Sequence, residues 1–186
     1  MTGTFNETHF DFAEEIDRLD DRIADLQAEA DETEDGSDQE AALLETRQTL
    51  QTQRKGAIWA CPGRGGGEDA HEDDDFPMWD EPVDGVTLGA VRARTFANME
   101  NDLESDPNAG SGTSSILLIA DGTVEAPYVG EDMRDAEIAG AVGKLHPWYL
   151  KWAEGRITAL MDPEGNATSS GTSPGDKQTK TTSTEE

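Results

Sequence analysis

Two amphipathic stripes organise the first third of the chain. Phe12, Ile16, Leu19, Ile23 and Leu26 follow one another at alternating spacings of four and three, which puts all five on one face of a helix. Asp11 with Glu14 has the form of a capping box at the start of that helix, and the polar run Asp31 to Asp38, which contains Gly36, ends it. Ser37 with Glu40 then opens a second helix, in which Leu43, Leu50 and Ala57 recur every seven residues with Leu44 and Ile58 in support. Two helices joined by a short polar turn predict an antiparallel hairpin over residues 9–60. Each helix is short for a free-standing coiled coil, so the stripe requires cover from the rest of the chain or from another subunit. Core packing is the commoner fate of such a stripe, and partner binding the alternative.

The periodicity dissolves over residues 61–82, where Pro62-Gly63-Arg64-Gly65-Gly66-Gly67 leads into the acidic run Glu68 to Asp75; this composition reads as a linker. The glycines lack the Gly-Lys-Ser/Thr ending that reaches phosphate and magnesium, so a hinge is favoured over a phosphate loop. His71 lies among six carboxylates that could face a divalent cation, but their spacing is not that of a calcium loop and a solvated charge run is favoured.

A second organised region covers residues 83–162. Val86, Leu88 and Val91 mark a short strand or extended opening segment, Thr95 is placed to cap a helix carrying Phe96, Met99 and Leu103, and Asp106 to Gly110 closes that helix. Ser114 to Ala120 is the most apolar stretch and predicts a buried short helix stopped at Asp121-Gly122, with a strand as the alternative. Thr123 to Pro127 reads as extended. Asp132 or Asp135 opens a helix through Ile138, Val142 and Leu145. His146-Pro147 breaks it, because proline disfavours helical geometry in the residue before it and suits the first turn of a new helix. That last helix carries Trp148, Tyr149, Leu150, Trp152, Ile157, Leu160 and Met161, whose first reading is hydrophobic core. Residues 163–186 are rich in Ser, Thr and Gly with Lys and Glu and have almost no apolar side chain, a composition that predicts a disordered tail. The predicted fold is mainly α: an amino-terminal antiparallel hairpin, a flexible acidic Gly-rich linker, a small helical domain with a short extended opening segment, and a disordered tail.

Charge changes the picture of where such a chain works. Forty-one acids against fourteen bases give a net charge of −27, and only five of the bases are Lys. Self-repulsion on this scale opposes compaction at ordinary ionic strength, whereas in molar salt the Debye length falls to roughly 3 Å and the repulsion is screened. The composition resembles that of proteins from salt-accumulating archaea and predicts a soluble protein of a high-salt cytoplasm, with an ordinary acidic, partly disordered protein as the alternative. No basic stripe is present to release counterions from nucleic acid or to bind anionic membranes, and the longest apolar stretch, Ile116 to Ala120, is too short to span a bilayer. The single cysteine, Cys61, excludes an internal disulfide.

Catalytic chemistry is sparse. His9, His71 and His146 are the three imidazoles, and none stands beside a recognisable nucleophile motif; Ser114-Ser115 lacks the Gly-x-Ser-x-Gly elbow. With so many acids, any chosen carboxylate pair is weak evidence. No enzyme activity, cofactor or metal site is expected.

Three stretches together carry a resemblance: Val86-Thr87-Leu88 with Val91 to Phe96, then Ile116 to Pro127, then the helical ending through Trp148 and Leu160. This order, over about Val83 to Met161, resembles the small tail assembly chaperones of long-tailed phages, in which an extended segment precedes helices, a Gly-x-Val-x-x-Pro link and a terminal helix. The resemblance implies a non-enzymatic role: coating the long helical tape-measure protein and recruiting tail-tube subunits. The candidate partner-binding residues are then Trp148, Tyr149, Trp152, Ile157 and Leu160 on the last helix and Phe12, Ile16, Leu19, Ile23 and Leu26 on the first. The hairpin over 9–60 lies outside the family pattern and suits self-association, as in a scaffold or adaptor protein of a halophilic archaeon or its virus.

Overall fold

The computed structural model describes residues 4–61, 83–105, 110–130 and 132–162. The linker, the glycine run, the acidic cluster around His71 and the polar tail all lie outside the described residues. Strand β1 (Thr4–Asp11) runs directly into α1 (Phe12–Asp31), and the chain returns as α2 (Asp38–Ala60). From Val83 onward come β2 (Gly85–Val91), α3 (Ala93–Ser105), α4 (Ser111–Gly122), β3 (Thr123–Glu125), α5 (Asp135–Val142) and α6 (Pro147–Met161). Among the described residues the protein is therefore mostly helical, with one small antiparallel sheet in the order β1-β2-β3.

The hairpin forms where its end signals place it. The Asp11 carboxylate accepts from the amides of Ala13 (2.8 Å) and Glu14 (3.0 Å), satisfying two of the free donors of the first turn of α1. Ser37 accepts from Glu40 N at 3.1 Å, and Glu40 reaches back to the amide of Gly36, which sits at φ +76° where the chain turns. Burial in the two helices is uneven. In α1 it runs through Phe12, Glu15, Ile16, Leu19, Leu26 and Ala30, whereas in α2 only Gly56 to Ala60 is buried. Leu44, expected to support the seam, instead points to solvent with 39% of its surface exposed, because it lies off the line of Leu43, Leu50 and Ala57 that faces α1.

The sheet is the main departure from the predicted fold, which held extended segments at β2 and at Thr123 to Pro127 but no sheet and no strand before the hairpin. β1 pairs antiparallel with β2 from Thr4 opposite Val91 to Asp11 opposite Gly85, and β2 pairs with β3. The residues before the hairpin thus form an eight-residue strand. Its alternation is hidden in the sequence because Phe5 and Phe10 are an odd five residues apart, and only the extra residue of a bulge between Phe5 and Thr8, with Asn6 at φ 50°, brings them into phase opposite Ala90 and Val86. Gly89 of β2 stands opposite the bulge, where a Cβ would come within 2.8 Å of the Thr4 side chain. Thr95 is another departure: α3 begins at Ala93, with Phe96 N bonded to Arg92 O, so Thr95 lies inside the first turn rather than capping it.

Segments 9–60 and 83–162 share one core. Phe12, Ile16 and Leu19 of α1, Ala57 to Ala60 of α2, Val86 and Leu88 of β2, Ile119 of α4, Val142 of α5 and Tyr149, Trp152 and Ile157 of α6 all belong to a single buried cluster. Each fully buried large side chain of that kind contributes about 1.5–3 kcal/mol relative to leaving it exposed. α6 lies along the end of α2, and Gly56 permits the approach: a Cβ there would stand 2.2 Å from the Trp148 carbonyl oxygen. No helix among the described residues is long and apolar enough to cross a membrane.

Candidate functional site

The two stripes proposed from sequence as binding surfaces meet each other. The Phe12 ring lies 5.2 Å from Trp152, Phe10 stands edge-on to the same indole at 6.0 Å, and Tyr149 stacks between Trp152 and Trp59 at 5.5 and 5.7 Å. Phe12, Ile16, Leu19, Leu26, Tyr149, Trp152 and Ile157 are buried, whereas Ile23, Trp148 and Leu160 are half-buried. In this conformation only those last three of the ten are open to a partner.

At the edge of the aromatic cluster lies a charged group that sequence reasoning did not single out. Glu15 is buried on the core side of α1, accepts from Trp152 Nε1 at 3.3 Å and lies 3.0 Å from Arg156 Nε. Arg18 donates two hydrogen bonds to the same carboxylate, at 3.1 and 3.2 Å, and Arg156 Nη2 donates to Gln53 Oε1 at 3.1 Å. Burial lowers the Arg156 guanidinium to about 10, opposed by the attraction of Glu15. These residues, with Thr8, Phe10, Ala159 and Leu160, line a small cavity of about 260 Å³ between β1 and α6. Two guanidiniums share the one Glu15 carboxylate, and with the Arg156 bond to Gln53 the group acts as a clamp joining α1, α2 and α6.

A second polar device runs through the core. Thr123 Oγ1 donates to Ile119 O at 2.6 Å, so its single proton is committed; Tyr128 must donate to Thr123 at 3.0 Å, and Tyr149 to Tyr128 at 3.1 Å. Burial raises the Tyr128 phenol above its ordinary value against the opposing effect of those bonds, and it raises Tyr149 well above, reinforced by the Tyr128 charge and by Tyr149's own donated proton.

The imidazoles are structural where they are described. His146 Nδ1 accepts from Trp148 N at 3.1 Å and caps α6. His9 Nδ1 lies 3.2 Å from Thr87 Oγ1, which lies 3.5 Å from Glu125 Oε2 across the exposed face of the sheet. That order sets the hydroxyl between imidazole and carboxylate, so the acid does not orient the base as a nucleophilic triad requires. Among the described residues no three His, Cys, Asp or Glu side chains converge to hold a metal ion.

A group of half-buried apolar side chains lies along α3, α4 and α5. α4 packs against α3 on one side and α5 on another. It is apolar around its circumference from Ile116 to Ala120, yet only its Leu118, Ile119 and Ala120 flank is buried. Ile116 and Leu117 stay half-buried, as do Phe96 and Leu103 on α3 and Ile138 and Ala139 on α5. The signal was present in the sequence as the apolar run Ile116 to Ala120, which goes right round one helical turn and calls for cover on all sides. Compared with known proteins, the chain matches no family model, no curated protein and no solved structure.

Proposed function

We propose that this chain is a non-catalytic assembly protein of the tail-assembly-chaperone type, belonging to a tailed virus of a halophilic host. It holds an amphipathic helix of a long tape-measure protein against the surface of α3, α4 and α5 and helps recruit tail-tube subunits in the high-salt host cytoplasm. The observation that carries this reading is α4, whose turn from Ile116 to Ala120 is apolar around its circumference, with Leu117 and neighbouring side chains on α3 and α5 left half-buried. A helix-in-groove partner would cover such side chains by presenting its own apolar face. The residue order that resembles the chaperones, Val86 to Phe96 and Ile116 to Pro127, also builds β2, α3, α4 and β3, the elements that frame this surface. The strongly negative remainder of the chain would keep a complex with an aggregation-prone helical partner in solution.

The test is recovery of the tagged protein from its native cells in molar KCl, with the bound partners identified by mass spectrometry. A very long helical protein recovered with tail-tube subunits, and lost on Leu117→Glu, is the expected result. Recovery of itself or of shell proteins alone would sink the reading and favour a scaffold or adaptor role. The observation favouring that second reading is the hairpin, whose part beyond Leu19 and before Gln53 packs chiefly on itself as an arm. A scaffold component would be present at fixed stoichiometry in finished particles, from which an assembly chaperone is depleted.

A further inference from the structure

We propose that the outward face of α2 is a self-association surface that pairs two copies of this chain in antiparallel register. Charge is distributed unevenly between the two helices of the hairpin. α1 carries eight acids against two bases, whereas α2 carries three of each, although the whole chain stands at −27. Two such chains repel over most of their surfaces, and the approach that costs least is through a neutral face.

The face is also self-complementary. On that face Glu45 lies in the first half of α2 and Lys55 in its second. A two-fold axis therefore sets acid against base twice, as an isologous contact demands. Ala41, Leu44, Glu45, Gln48 and Lys55 are exposed, Thr52 is half-buried, and all six lie within one side of the helix, opposite the Leu43, Leu50 and Ala57 line that faces α1. With the axis near Leu50, Glu45 meets Lys55 of the second copy and Gln48 meets Thr52. Leu44 then falls at the level of the buried Gly56, against the half-buried Trp148 of that copy.

Two observations mark the face as unfinished in the single chain. Leu44 is one of two large apolar side chains that are exposed among the described residues. Neither Glu45 nor Lys55 forms an ion pair within those residues; the Lys55 ammonium rests 4.8 Å over the Trp148 ring, beside the position Leu44 of the second copy would take. From Ala41 to Lys55 the contact runs about 21 Å, on the usual helical rise, and aligns two hairpins as a four-helix bundle. One helix face of that length buries less than the roughly 800 Å² per partner of a standard interface, so the dimer is concentration-dependent. It leaves the surface of α3, α4 and α5 free and does not rest on the chaperone reading.

Sedimentation equilibrium of the full chain, at the lowest KCl concentration that retains its helical circular dichroism, tests the proposal. A monomer–dimer equilibrium is expected, with the dissociation constant raised tenfold or more by Leu44→Glu, by Glu45→Lys and by Lys55→Glu, the helical signal being unchanged. The double exchange Glu45→Lys with Lys55→Glu is expected to restore the wild-type constant, because it reverses both ends of each pair. A chain monomeric at every concentration overturns the proposal. So does a dimer that the single variants leave intact, or one that the double exchange fails to restore.

Discussion

The indole Nε1 of Trp152 donates to Oε2 of Glu15 across 137 residues of sequence, and Arg156, one turn further along α6, lies 3.0 Å from the same oxygen. A buried carboxylate is thus held by an aromatic N–H and a guanidinium from one helix face, fixing the angle at which α6 meets α1. Removing one partner of such a buried pair leaves an uncompensated charge, which costs about 3–5 kcal/mol. Glu15→Ala is expected to lose that much in denaturant unfolding at high KCl. Glu15→Leu combined with Arg156→Met is expected to recover most of it, and equal losses in the single and double variants would disprove the clamp.

Gly56 is the point of closest approach between α2 and α6. Gly56→Ala forces a methyl group against the Trp148 carbonyl, and overpacking of this kind typically costs about 1–3 kcal/mol. Around Gly140 of α5 nothing lies within 4 Å of the position a methyl group would take, so Gly140→Ala is expected to stabilise by up to about 1 kcal/mol through helix propensity alone. Thermal unfolding of the two variants in opposite directions is the expected result; a neutral Gly56→Ala would refute the α2–α6 packing.

Tyr128 and Tyr149 are the two tyrosines of the chain, and both phenols are raised above the ordinary value of 10.0 by burial. The folded state therefore holds these protons more tightly than the unfolded state. Their contribution to stability is complete below the unfolded phenol range and is lost as pH rises through the folded values. Tyrosinate absorbance should accordingly appear together with loss of helical circular dichroism above pH 10. Ionisation at the ordinary phenol value with the helices intact would contradict the buried hydroxyl chain.

The net charge of −27 predicts a salt requirement of a definite kind. Raising KCl from about 0.1 M to 1 M shortens the Debye length from roughly 10 to 3 Å, so self-repulsion among exposed acids is screened while the buried core is little affected. The unfolding midpoint should rise steeply over that range. A midpoint indifferent to KCl would remove the argument for a high-salt habitat.

The helices of the hairpin were legible from the sequence because their signals are local. Asp11 and Ser37 cap the turns that follow them, and the spacing from Phe12 to Leu26 is a property of neighbouring residues on one helix. The start of α6 at Pro147 was legible for the same reason, and that of α5 was narrowed to Asp132 or Asp135, of which the structure takes Asp135. β1 was not, since a strand is completed by a remote partner and the bulge at Asn6 breaks the alternation that would have revealed it.

The aromatic helix and the first stripe were readable as apolar faces, but nothing in either segment says that Phe12 and Trp152 cover each other. The apolar run of α4 could be read as needing cover, yet which flank α3, α5 and β2 would leave open depends on packing angles. Glu15 illustrates the same division. By itself the sequence made it one acid among forty-one, on a helix whose polar and apolar faces were already fixed. Only the tertiary structure decided that this carboxylate would be the buried one, because desolvating it is tolerable only where Trp152 and Arg156 from a distant part of the chain join Arg18 of its own helix.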